Sequence, residues 1–429
     1  MISSAMRKKA LIVILDGLGD RPIPELAGQT PLEQAHTPNM DKLSSMGMNG
    51  LVDPLSPGVP VSTHTGMALL MGLARKDVTK ISRGPVEAAG IKLKASPNDV
   101  IMRCNFAHVE KQQEQLKILD RRAGRIADTL ELTQELQNIH LPHDIVASVY
   151  PTTHYRAVLH LQGEIISSQI SDTDGIRVSP SFVQPCTALT ENESAIKTAE
   201  AVNAFTYKAN EILVSHPVNH KRIQQGLIPA TGIICRSAGK IDEMNNILNY
   251  YQLKVAVITG DATVTGLSHL FNFNVFNDEQ FTSKSDTNLE LKFSQAIKLM
   301  NTHDVVYLHI KGSDLLSHDK KLQENITFIE KIDHQLSKLI ELSEIIAITA
   351  DHSTDSTTGF HCGDPVPSLI YAPNGRIDSV NQYSETSCMQ GGLGRINASE
   401  FLLSIVDQMN ATHNFKQDDA AYLFSSENL

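Results

Sequence analysis

Aspartate and histidine residues follow two apolar runs of the sequence, where they could hold a metal ion. In HIKGSDLLSHDKK, Asp314 and His318 are four residues apart and share one face if a helical turn follows the run. In ITADHSTDSTTGFHCGDPVP, the adjacent Asp351 and His352 end another run, and His361 follows a loop rich in Ser, Thr and Gly that can fold back. Side chains of these types hold divalent cations, and open α/β sheets place their sites at strand ends.

A third apolar run ends at Asp16, in ILDGLGD. With it, the chain offers three aspartates and three histidines, a mixed oxygen and nitrogen set suited to two Zn²⁺ or Mn²⁺ ions. Two adjacent ions can clamp both ends of an in-line phosphoryl displacement. Taken alone, an Asp-Gly pair such as Asp16 and Gly17 forms a turn more often than it contributes a metal ligand. An Asp/His pair on a helix likewise lies more often on a solvent-exposed face than in a metal site. Their coincidence at three predicted strand ends favours the metal site.

The segment PGVPVSTHTGMALLMG offers a hydroxyl nucleophile. A Pro/Gly loop gives way there to small residues and then to an apolar helical run, which places Ser62, Thr63 and Thr65 near a helix N-terminus. The unpaired N–H groups and the positive dipole end at such a position favour an alkoxide and a bound phosphate. The alternative for any one of these hydroxyls is a helix N-cap.

Basic side chains cluster in the segment DRRAGRI, and others stand elsewhere in the chain. The candidates for anion binding are Arg121, Arg122, Arg125, Arg236 and Lys311. Arginine forks suit bidentate capture of phosphate and carboxylate. Because Arg121 and Arg122 are adjacent and can diverge, we expect only part of the cluster to face a ligand and the rest to be solvated or structural.

Short runs rich in Val, Ile and Leu must supply the strands that position these residues. They alternate with helix-patterned stretches, which predicts an α/β fold with a mainly parallel sheet and helices on both faces. The runs are ALIVIL at 10–15, ATGIIC at 230–235, LKVAVIT at 253–259, DVVYLHI at 304–310 and EIIAITA at 344–350. Helices are predicted from Pro38 to about 48, after a cap at Asp242, and over ENITFIEKIDHQLSKLIEL.

The pattern changes between about 95 and 225. Short runs such as DIVASV and YRAVLHL alternate there with polar loops, and a long helical stretch spans 191–213. We therefore expect a core formed by 1–95 and 226–429, with an inserted α+β domain of 96–225. The residues after about 412 are expected to form a loosely held tail.

Composition and charge disfavour several classes of protein. The 429 residues, 41% of them hydrophobic, can build a sizeable core, and 37 Lys+Arg against 48 Asp+Glu give a net charge of -11 that disfavours nucleic-acid binding. The N-terminal apolar run is far shorter than the ~20 residues of a membrane span, so we expect neither membrane insertion nor targeting. Five scattered cysteines without a CxxC motif indicate neither a disulfide framework nor a thiolate zinc site, and favour the cytoplasm. No motif predicts an oligomeric state.

Nine segments occur in one order from about residue 9 to 410. They are LDGLGDRPIPELAGQTPLEQAHTPNMDKL, SRGPVEAAG, MRCNFAHVE, DRRAGRI, VSHPVNHKRIQQGL, LHIKGSDLLSHD, ITADHST, HCGDPVPSLIYAP and GGLGRI. This ordered set resembles the archaeal-type cofactor-independent phosphoglycerate mutases of the alkaline phosphatase superfamily. The resemblance implies an alkaline-phosphatase-like core, 1–95 and 226–429, that holds two Mn²⁺, Zn²⁺ or Mg²⁺ ions, with a substrate-binding insertion, 96–225. It also implies a glycolytic isomerase that needs no 2,3-bisphosphoglycerate.

The resemblance also assigns roles to single residues. One ion would be held by Asp314, His318 and His361, and the other by Asp16, Asp351, His352 and the nucleophile hydroxyl. The hydroxyl would take the phosphoryl group of phosphoglycerate and return it to the other substrate hydroxyl after the glycerate re-orients. The substrate carboxylate and phosphate would be held by Arg122, Arg125, Arg236 and Lys311.

Some departures from the family pattern fall on the reacting centre. The family usually shows Gly-Ser-Asp-Thr-Ala-His at the nucleophile. Aligning the following helix on Gly72 places Thr63 at the serine, whereas one gap would place Ser62 there, and we expect Thr63. The family also tends to carry Pro after DHST and Lys two residues before the last histidine ligand, where this chain has Asp355 and Gly359.

Three functions follow as hypotheses. The first is a metal-dependent mutase that interconverts 2- and 3-phosphoglycerate through a phospho-threonine or phospho-serine enzyme. The second is a diverged phosphohydrolase or phosphoryl/phosphonyl transferase with the same metal pair, acting on another small phosphorylated or phosphonylated carboxylate. The third is a catalytically silent binding protein, which the six retained Asp and His residues disfavour because fold stability alone does not require them to converge.

Overall fold

The computed structural model describes residues 7–175, 181–241 and 244–412. Its strands are β1 (Ala10–Leu15), β2 (Met48–Asp53), β3 (Val100–Gln112), β4 (Gln115–Asp120), β5 (Ile139–His140), β6 (Val146–Pro151), β7 (Arg156–Gln162), β8 (Gly232–Gly239), β9 (Val255–Ile258), β10 (Asn274–Phe276), β11 (Val305–Ile310), β12 (Ile345–Thr349), β13 (Ser353–Asp355), β14 (Phe360–Cys362), β15 (Val366–Tyr371) and β16 (Gly394–Asn397). Its helices are α1 (Pro31–Gln34), α2 (Pro38–Ser45), α3 (Thr63–Leu70), α4 (Arg83–Gly90), α5 (Leu130–Gln134), α6 (Glu193–Val214), α7 (Pro217–Gln224), α8 (Ile247–Tyr250), α9 (Ala262–Leu270), α10 (Leu289–Leu299), α11 (Gly312–His318), α12 (Leu322–Leu336), α13 (Glu385–Cys388) and α14 (Ala398–Gln408).

The chain folds into two compact units, residues 1–79 with 244–429 and residues 80–243. The first unit is built on an eight-stranded sheet in the order β10-β9-β11-β1-β12-β15-β2-β16. The five strands from β10 to β12 are mutually parallel, and β15 runs antiparallel to both of its neighbours. All residues of β1, β11 and β12 are buried, as expected where a sheet is covered on both faces. The predicted α/β fold with a mainly parallel sheet is confirmed.

Three central strands, β11, β1 and β12, end side by side. Leu15 of β1 pairs in parallel with Ile310 of β11, and Ile14 pairs with Thr349 of β12. Asp16 and Lys311 therefore leave the sheet at the same edge as the segment that contains Asp351. Parallel pairing thus brings together residues that lie some three hundred positions apart in the sequence.

The second unit has an antiparallel sheet in the order β4-β3-β7-β6-β5, with β8 also paired to β3. Its largest core lies between this sheet and α6, where Phe205 and Leu213 pack with Met102 and Phe106. On the opposite face, Ala88 of α4 packs against β3 and β7.

The run 230–235 was predicted as one of the strands of the parallel sheet, and that prediction is wrong. It contributes to β8, which pairs antiparallel with β3 so that Cys235 lies opposite Cys104 in the buried core. Because α4 and β8 both pack on β3, the unit boundaries fall near 80 and 243, whereas the sequence suggested 95 and 225. Antiparallel and parallel buried strands have similar compositions, so the run alone did not distinguish the two sheets.

The other sequence predictions concern helices. The stretches at 38–48, 191–213 and 324–342 contain or overlap α2, α6 and α12. The proposed cap Asp242 and the tail expected after about 412 lie outside the described residues, and the next helix, α8, is capped by Asn246, whose Oδ1 accepts hydrogen bonds from two backbone N–H groups. Of the helices in the described ranges, none combines the length and apolar character needed to cross a membrane.

Helix α3, which begins at Thr63, is held close to the strand ends from both of its termini. The hydroxyl of Tyr307 on β11 donates a 2.7 Å hydrogen bond to the carbonyl of Leu70. Near the other end, a Cβ added to Gly66 would lie 1.9 Å from the carbonyl oxygen of Asp351. A glycine at this position is therefore what allows the helix to lie against the end of β12.

We predict that Gly66→Ala lowers the melting temperature by several degrees, because the new methyl group displaces α3 from the backbone at Asp351 at a cost of about 3 kcal/mol. Gly392→Ala is the matched control, since Gly392 is exposed and its added Cβ would meet no backbone atom, only the side chains of Met48 at 3.3 Å and Asp378 at 3.4 Å. Differential scanning calorimetry of both variants measures the effect. Equal melting temperatures for the two variants would show that α3 is not packed as closely as described.

Candidate metal centre

Six predicted ligands meet at the end of the parallel sheet. Two groups can each hold an ion, with their ligand atoms within 4.8 Å of one another. The first is Asp314, His318 and His361, and the second is Asp16, Asp314 and His352. Asp351 adjoins the second group, with its Oδ2 atom 3.4 Å from His352 Nε2. Asp314 thus belongs to both groups and lies between them.

His318 and His361 have their Nδ1 atoms engaged by backbone carbonyls away from this cluster. His318 Nδ1 lies 2.8 Å from the carbonyl oxygen of Gly359, and His361 Nδ1 lies 2.7 Å from that of Val61. A carbonyl can only accept, so both rings donate from Nδ1, which leaves Nε2 as the nitrogen that can bind a metal. The two Nε2 atoms lie 3.1 Å apart, 3.3 Å and 3.7 Å from Asp314 Oδ1. In metal sites, a hydrogen bond from the ring nitrogen that does not bind the ion fixes the orientation of the imidazole.

His352 is oriented through a hydroxyl. Its Nδ1 atom lies 3.2 Å from Thr354 Oγ1, and that hydroxyl donates a 3.0 Å hydrogen bond to Asp314 Oδ1. Nδ1 of His352 is therefore the donor in this chain. Its Nε2 atom points to the carboxylates, 3.3 Å from Asp16 Oδ1.

The buried carboxylates are balanced by Lys311. Its ammonium donates hydrogen bonds to Asp16 Oδ2 at 2.8 Å and to Asp314 Oδ2 at 3.0 Å. Burial raises the pKa of Asp16, but Lys311 and two histidines outweigh it and hold that pKa well below its ordinary value. Burial alone would lower the pKa of Lys311, but the negative charges of Asp16 and Asp314 raise it well above its ordinary value.

Asp351 lacks such compensation. Burial and the neighbouring charge of Asp16 raise its pKa to about 8. Burial and the proximity of His352 lower the pKa of His361 to about 4, so that ring is neutral near pH 7. In the absence of a metal, the cluster therefore holds a carboxyl group that resists ionisation beside a histidine that resists protonation.

These features fit a divalent metal centre. Asp16 Oδ1 and Asp351 Oδ2 are buried and accept no hydrogen bond among the described residues, although buried oxygens normally have a donor. Carboxylate oxygens and neutral imidazole nitrogens are the ligands that Zn²⁺ and Mn²⁺ take. Two dications would satisfy both orphaned oxygens and relieve the repulsion that raises the pKa of Asp351.

The structure distinguishes the candidate hydroxyls. Thr63 is the first residue of α3, and its Oγ1 atom lies 3.2 Å from Lys311 Nζ and 3.3 Å from His352 Nε2. Ser62 is engaged elsewhere, with its Oγ atom 2.7 Å from Nδ1 of His64. Thr65 lies two residues after Thr63, and its backbone N–H donates to the carbonyl of Ser62. Of the three hydroxyls, that of Thr63 contacts the metal-binding cluster.

All four predicted arginines lie in the second unit. Arg121 forms an ion pair with the buried Asp174, which Arg236 approaches to 4.0 Å. The guanidinium of Arg122 lies 5.8 Å from the ring centre of Tyr155. Arg125 is exposed and ends a short turn of 3₁₀ helix. The cluster is thus divided between groups held by partners and groups open to solvent, and which of them face a ligand stays a prediction.

The two departures after the DHST motif have structural explanations. Asp355 accepts hydrogen bonds from the backbone N–H groups of Thr357 and Thr358, which shapes the loop between β13 and β14. Gly359 has a positive φ of 75°, and an added Cβ would lie 2.9 Å from the carbonyl of His318. A lysine at this position would be strained, and the glycine carbonyl instead orients the His318 ring.

Two further residues belong to the centre but were not singled out from the sequence. His309 lies on β11, with Nε2 3.0 Å from Asp16 Oδ2 and Nδ1 3.1 Å from Thr259 Oγ1. Thr354 links His352 to Asp314, as described above. The position of His309, two residues before Lys311 in a run of otherwise apolar strand residues, was the available signal, because a buried histidine needs polar partners.

Comparison with known proteins gives consistent matches over nearly the whole chain. Residues 8–408 match the family model of the metalloenzyme superfamily. The 2,3-bisphosphoglycerate-independent phosphoglycerate mutase 1 of Archaeoglobus fulgidus is 38% identical over 412 residues, which cover 94% of this chain and 99% of that protein. The 2,3-bisphosphoglycerate-independent phosphoglycerate mutase of Methanopyrus kandleri is 35% identical over 421 residues, with coverage of 96% and 99%.

Solved structures agree with these matches. A protein from Pyrococcus horikoshii superposes with a TM-score of 0.78 at 30% identity, covering 96% of this chain and all of that one. The cofactor-independent phosphoglycerate mutase of Thermoplasma acidophilum gives a TM-score of 0.68 at 29% identity, covering 94% of this chain and all of that one. The α/β fold of the chain is therefore that of these proteins.

We predict that Mn²⁺ or Zn²⁺ raises the melting temperature of the chelator-treated protein and that Asp314→Asn removes most of this increase, because Asp314 belongs to both ligand groups. Binding at a hundred times the dissociation constant stabilises a protein by about 2.7 kcal/mol. Asp319→Asn, the same change at an exposed residue just after α11, should retain the full increase. Elemental analysis checks metal content, and full metal content in the Asp314 variant would contradict the assignment.

A pH dependence follows from Asp351 in the metal-free protein. Its pKa is raised from 3.8 to about 8 on folding, so the folded state binds a proton that the unfolded state releases, and stability falls as the pH rises between these values. Asp351→Asn removes this loss. In chelator we expect the variant to exceed the wild-type unfolding free energy at pH 9 by at least about 1 kcal/mol, and by less at pH 5.

Denaturant unfolding at both pH values measures this difference, with Asp319→Asn as the control. An unchanged or lower stability of the Asp351 variant at pH 9 would show that the carboxyl group ionises without cost. Saturating metal should reverse the order, because the ionised Asp351 then has a cation beside it.

Proposed function

Because this chain belongs to the metalloenzyme superfamily and, within it, to the 2,3-bisphosphoglycerate-independent phosphoglycerate mutases, we propose that it interconverts 2-phosphoglycerate and 3-phosphoglycerate by metal-dependent phosphoryl transfer. The observation that carries the proposal is the position of the Thr63 hydroxyl, 3.2 Å from the ammonium of Lys311 and beside the buried Asp and His cluster. A hydroxyl in these surroundings is suited to nucleophilic attack on a phosphoryl group.

The metal ligands are part of the proposal. One divalent ion, Mn²⁺, Zn²⁺ or Mg²⁺, would be held by Asp314, His318 and His361, and a second by Asp16, Asp351, His352 and Thr63. Once bound, the ions would supply positive charge that lowers the pKa of the Thr63 hydroxyl and neutralises the phosphoryl oxygens. His352 has a pKa raised to about 9 by its carboxylate neighbours despite burial, so it must lose a proton to act as a ligand.

Lys311 stabilises the oxygen of the nucleophile. Its raised pKa keeps the ammonium charged at neutral pH, and it donates a hydrogen bond to Thr63 Oγ1. As Thr63 Oγ1 forms its bond to phosphorus, the bond between phosphorus and the substrate oxygen breaks. The freed glycerate oxygen takes up the proton that Thr63 has lost. The same steps in reverse, at the other glycerate hydroxyl, regenerate Thr63 and complete the isomerisation.

The second unit is proposed to bind the substrate through its arginines. Arg121, Arg122, Arg125 and Arg236 are the candidates for the carboxylate and phosphate. Arg236 and Arg121 share Asp174, which holds their side chains in place, whereas Arg122 and Arg125 are exposed. Arginines positioned by a buried carboxylate are suited to bidentate binding of a small anion.

A phosphohydrolase or phosphoryl/phosphonyl transferase is the second candidate. It is favoured by Gly359, where the family tends to carry a lysine, because one cation fewer beside the metal ligands weakens retention of an anionic product. Loss of glycerate before the phosphoryl group returns would leave water or another alcohol as the acceptor.

Incubation with 3-phosphoglycerate distinguishes the two. We expect 2-phosphoglycerate from the metal-loaded protein, and a loss of at least ~10³-fold in Thr63→Ala because the nucleophile is removed. Thr63→Ser keeps the hydroxyl and should retain substantial activity, and Ser62→Ala is the matched control. Mass spectrometry of the trapped enzyme should place the phosphoryl group on Thr63. Inorganic phosphate as the sole product would favour the hydrolase, and a phosphorylated Ser62 would contradict the assignment of the nucleophile.

A further inference from the structure

Two cysteines face each other in the core of the second unit. Cys104 of β3 and Cys235 of β8 are direct cross-strand partners, and their Sγ atoms lie 3.1 Å apart although the residues are 131 positions apart in the sequence. Both side chains are buried, with Cys104 1% exposed and Cys235 not exposed at all. Both are free cysteines, so the contact is one between two thiols.

The backbone of Cys235 shows which kind of cross-strand pair this is. Its N–H donates to Thr173 Oγ1 at 2.8 Å, and its carbonyl oxygen accepts from the backbone N–H groups of Thr173, at 2.9 Å, and Asp174, at 3.1 Å. Both backbone groups of Cys235 therefore point away from β3. Cys104 and Cys235 are thus a non-hydrogen-bonded pair of the antiparallel ladder, the type whose Cα atoms lie about 4.5 Å apart and whose side chains are closest.

This geometry suits a covalent bond between the two sulfur atoms. Disulfides join residues whose Cα atoms are about 4.4–6.8 Å apart, a range that includes the non-hydrogen-bonded pairs of a sheet. The bond itself is about 2.05 Å long, so the two sulfur atoms need to approach each other by only about 1 Å. The strands can therefore accept the bond without a change of register.

The environment of Cys186, the third cysteine of this unit, is different. Its Sγ atom donates a 3.1 Å hydrogen bond to the carbonyl oxygen of Ser171. In the described ranges, the clusters with three or more potential metal ligands contain no cysteine, so Cys104 and Cys235 do not belong to a thiolate metal site of that size. The chemistry that remains for two thiols in contact is oxidation.

The folded protein protects this pair from rapid reaction. The hydrogen bond with Cys104, together with burial, raises the pKa of Cys235 well above its ordinary value, and the thiolate is the form that reacts. Oxidation therefore requires a local opening that exposes a sulfur atom to solvent. Strand β8 is suited to such an opening because, among the strands of the described ranges, it pairs with β3 alone.

We propose that Cys104 and Cys235 form a redox-sensitive modification site, which a small disulfide such as oxidised glutathione converts into a covalent bond between β3 and β8. One exposed thiolate attacks a sulfur of the small disulfide and releases one small thiol. The second cysteine displaces the other small thiol from this mixed disulfide. The two cysteines thus lose two protons and two electrons, which the small disulfide takes up, and an excess of a small thiol reverses both steps.

Oxidation of the native, full-length protein tests the site. After incubation with excess oxidised glutathione, alkylation and peptide mapping without reductant should show a peptide containing Cys104 linked to one containing Cys235. Two of the five free thiols should be lost. The linked protein should melt several degrees higher than the reduced protein, because the bond closes a long loop in the unfolded chain. Reductant should restore the original melting temperature.

Substitutions identify the cysteines that react. Cys104→Ala and Cys235→Ala should each abolish the cross-link and the increase in melting temperature on oxidation. Cys186→Ala is the matched control, since it removes another buried cysteine of the same unit, and it should form the cross-link as the wild type does. Each variant is compared with its own reduced form, so any stability that the substitution itself removes does not enter the comparison.

Three results would overturn the proposal. Native protein could keep both thiols free in the presence of the oxidant, or the cross-link could form only in denaturant, where the five cysteines meet at random. A linked protein that melts below the reduced protein would show that the native strands do not accept the bond. The measurements need neither metal nor phosphoglycerate, so their outcome is independent of whether the reduced protein forms 2-phosphoglycerate.

Discussion

The burial of three carboxylates at the ends of neighbouring parallel strands is the constraint on which the first unit depends. Asp16, Asp314 and Asp351 are almost inaccessible to solvent, and their mutual repulsion must be offset by cations. Lys311 supplies one positive charge. The histidines turn their Nε2 atoms towards the same carboxylates, which suits the cluster to bind further cations. The strand ends and α11 hold these groups close together, so without a metal the repulsion is relieved by a proton on Asp351. The centre therefore has a built-in affinity for dications.

The sequence indicated this centre because its residues follow apolar runs. Asp16 and Asp351 end strands whose composition is that of a covered parallel sheet, and the spacing of Asp314 and His318 matches the helical turn of α11. Local pattern therefore identified side chains that the fold brings together, and their role as metal ligands stays a prediction. It could not specify that Asp314 lies between the two groups, because that depends on the tertiary placement of α11 against β13 and β14.

Other parts of the structure left weaker signals in the sequence. His309 supports Asp16 from within a buried strand, where nothing in the local pattern identifies its partner. The run 230–235 has the composition of a parallel strand but pairs in the second unit, since strand composition reports burial and not the direction of the neighbour. The placement of Arg236 opposite Arg103 is likewise a property of the register between β3 and β8, which no local pattern fixes.

The contact of His361 with Val61 has a mechanical consequence. The imidazole that would help to hold one of the proposed ions donates its Nδ1–H to the peptide carbonyl two residues before Thr63. A rotation of this ring on coordination would pull on the loop that leads into α3, and a shift of the loop would tilt the ring. In the proposed reaction, the loading of the centre and the aiming of the alcohol would thus be linked through a single peptide group, so that a cation of the wrong size would misdirect the attack as well as weaken the charge.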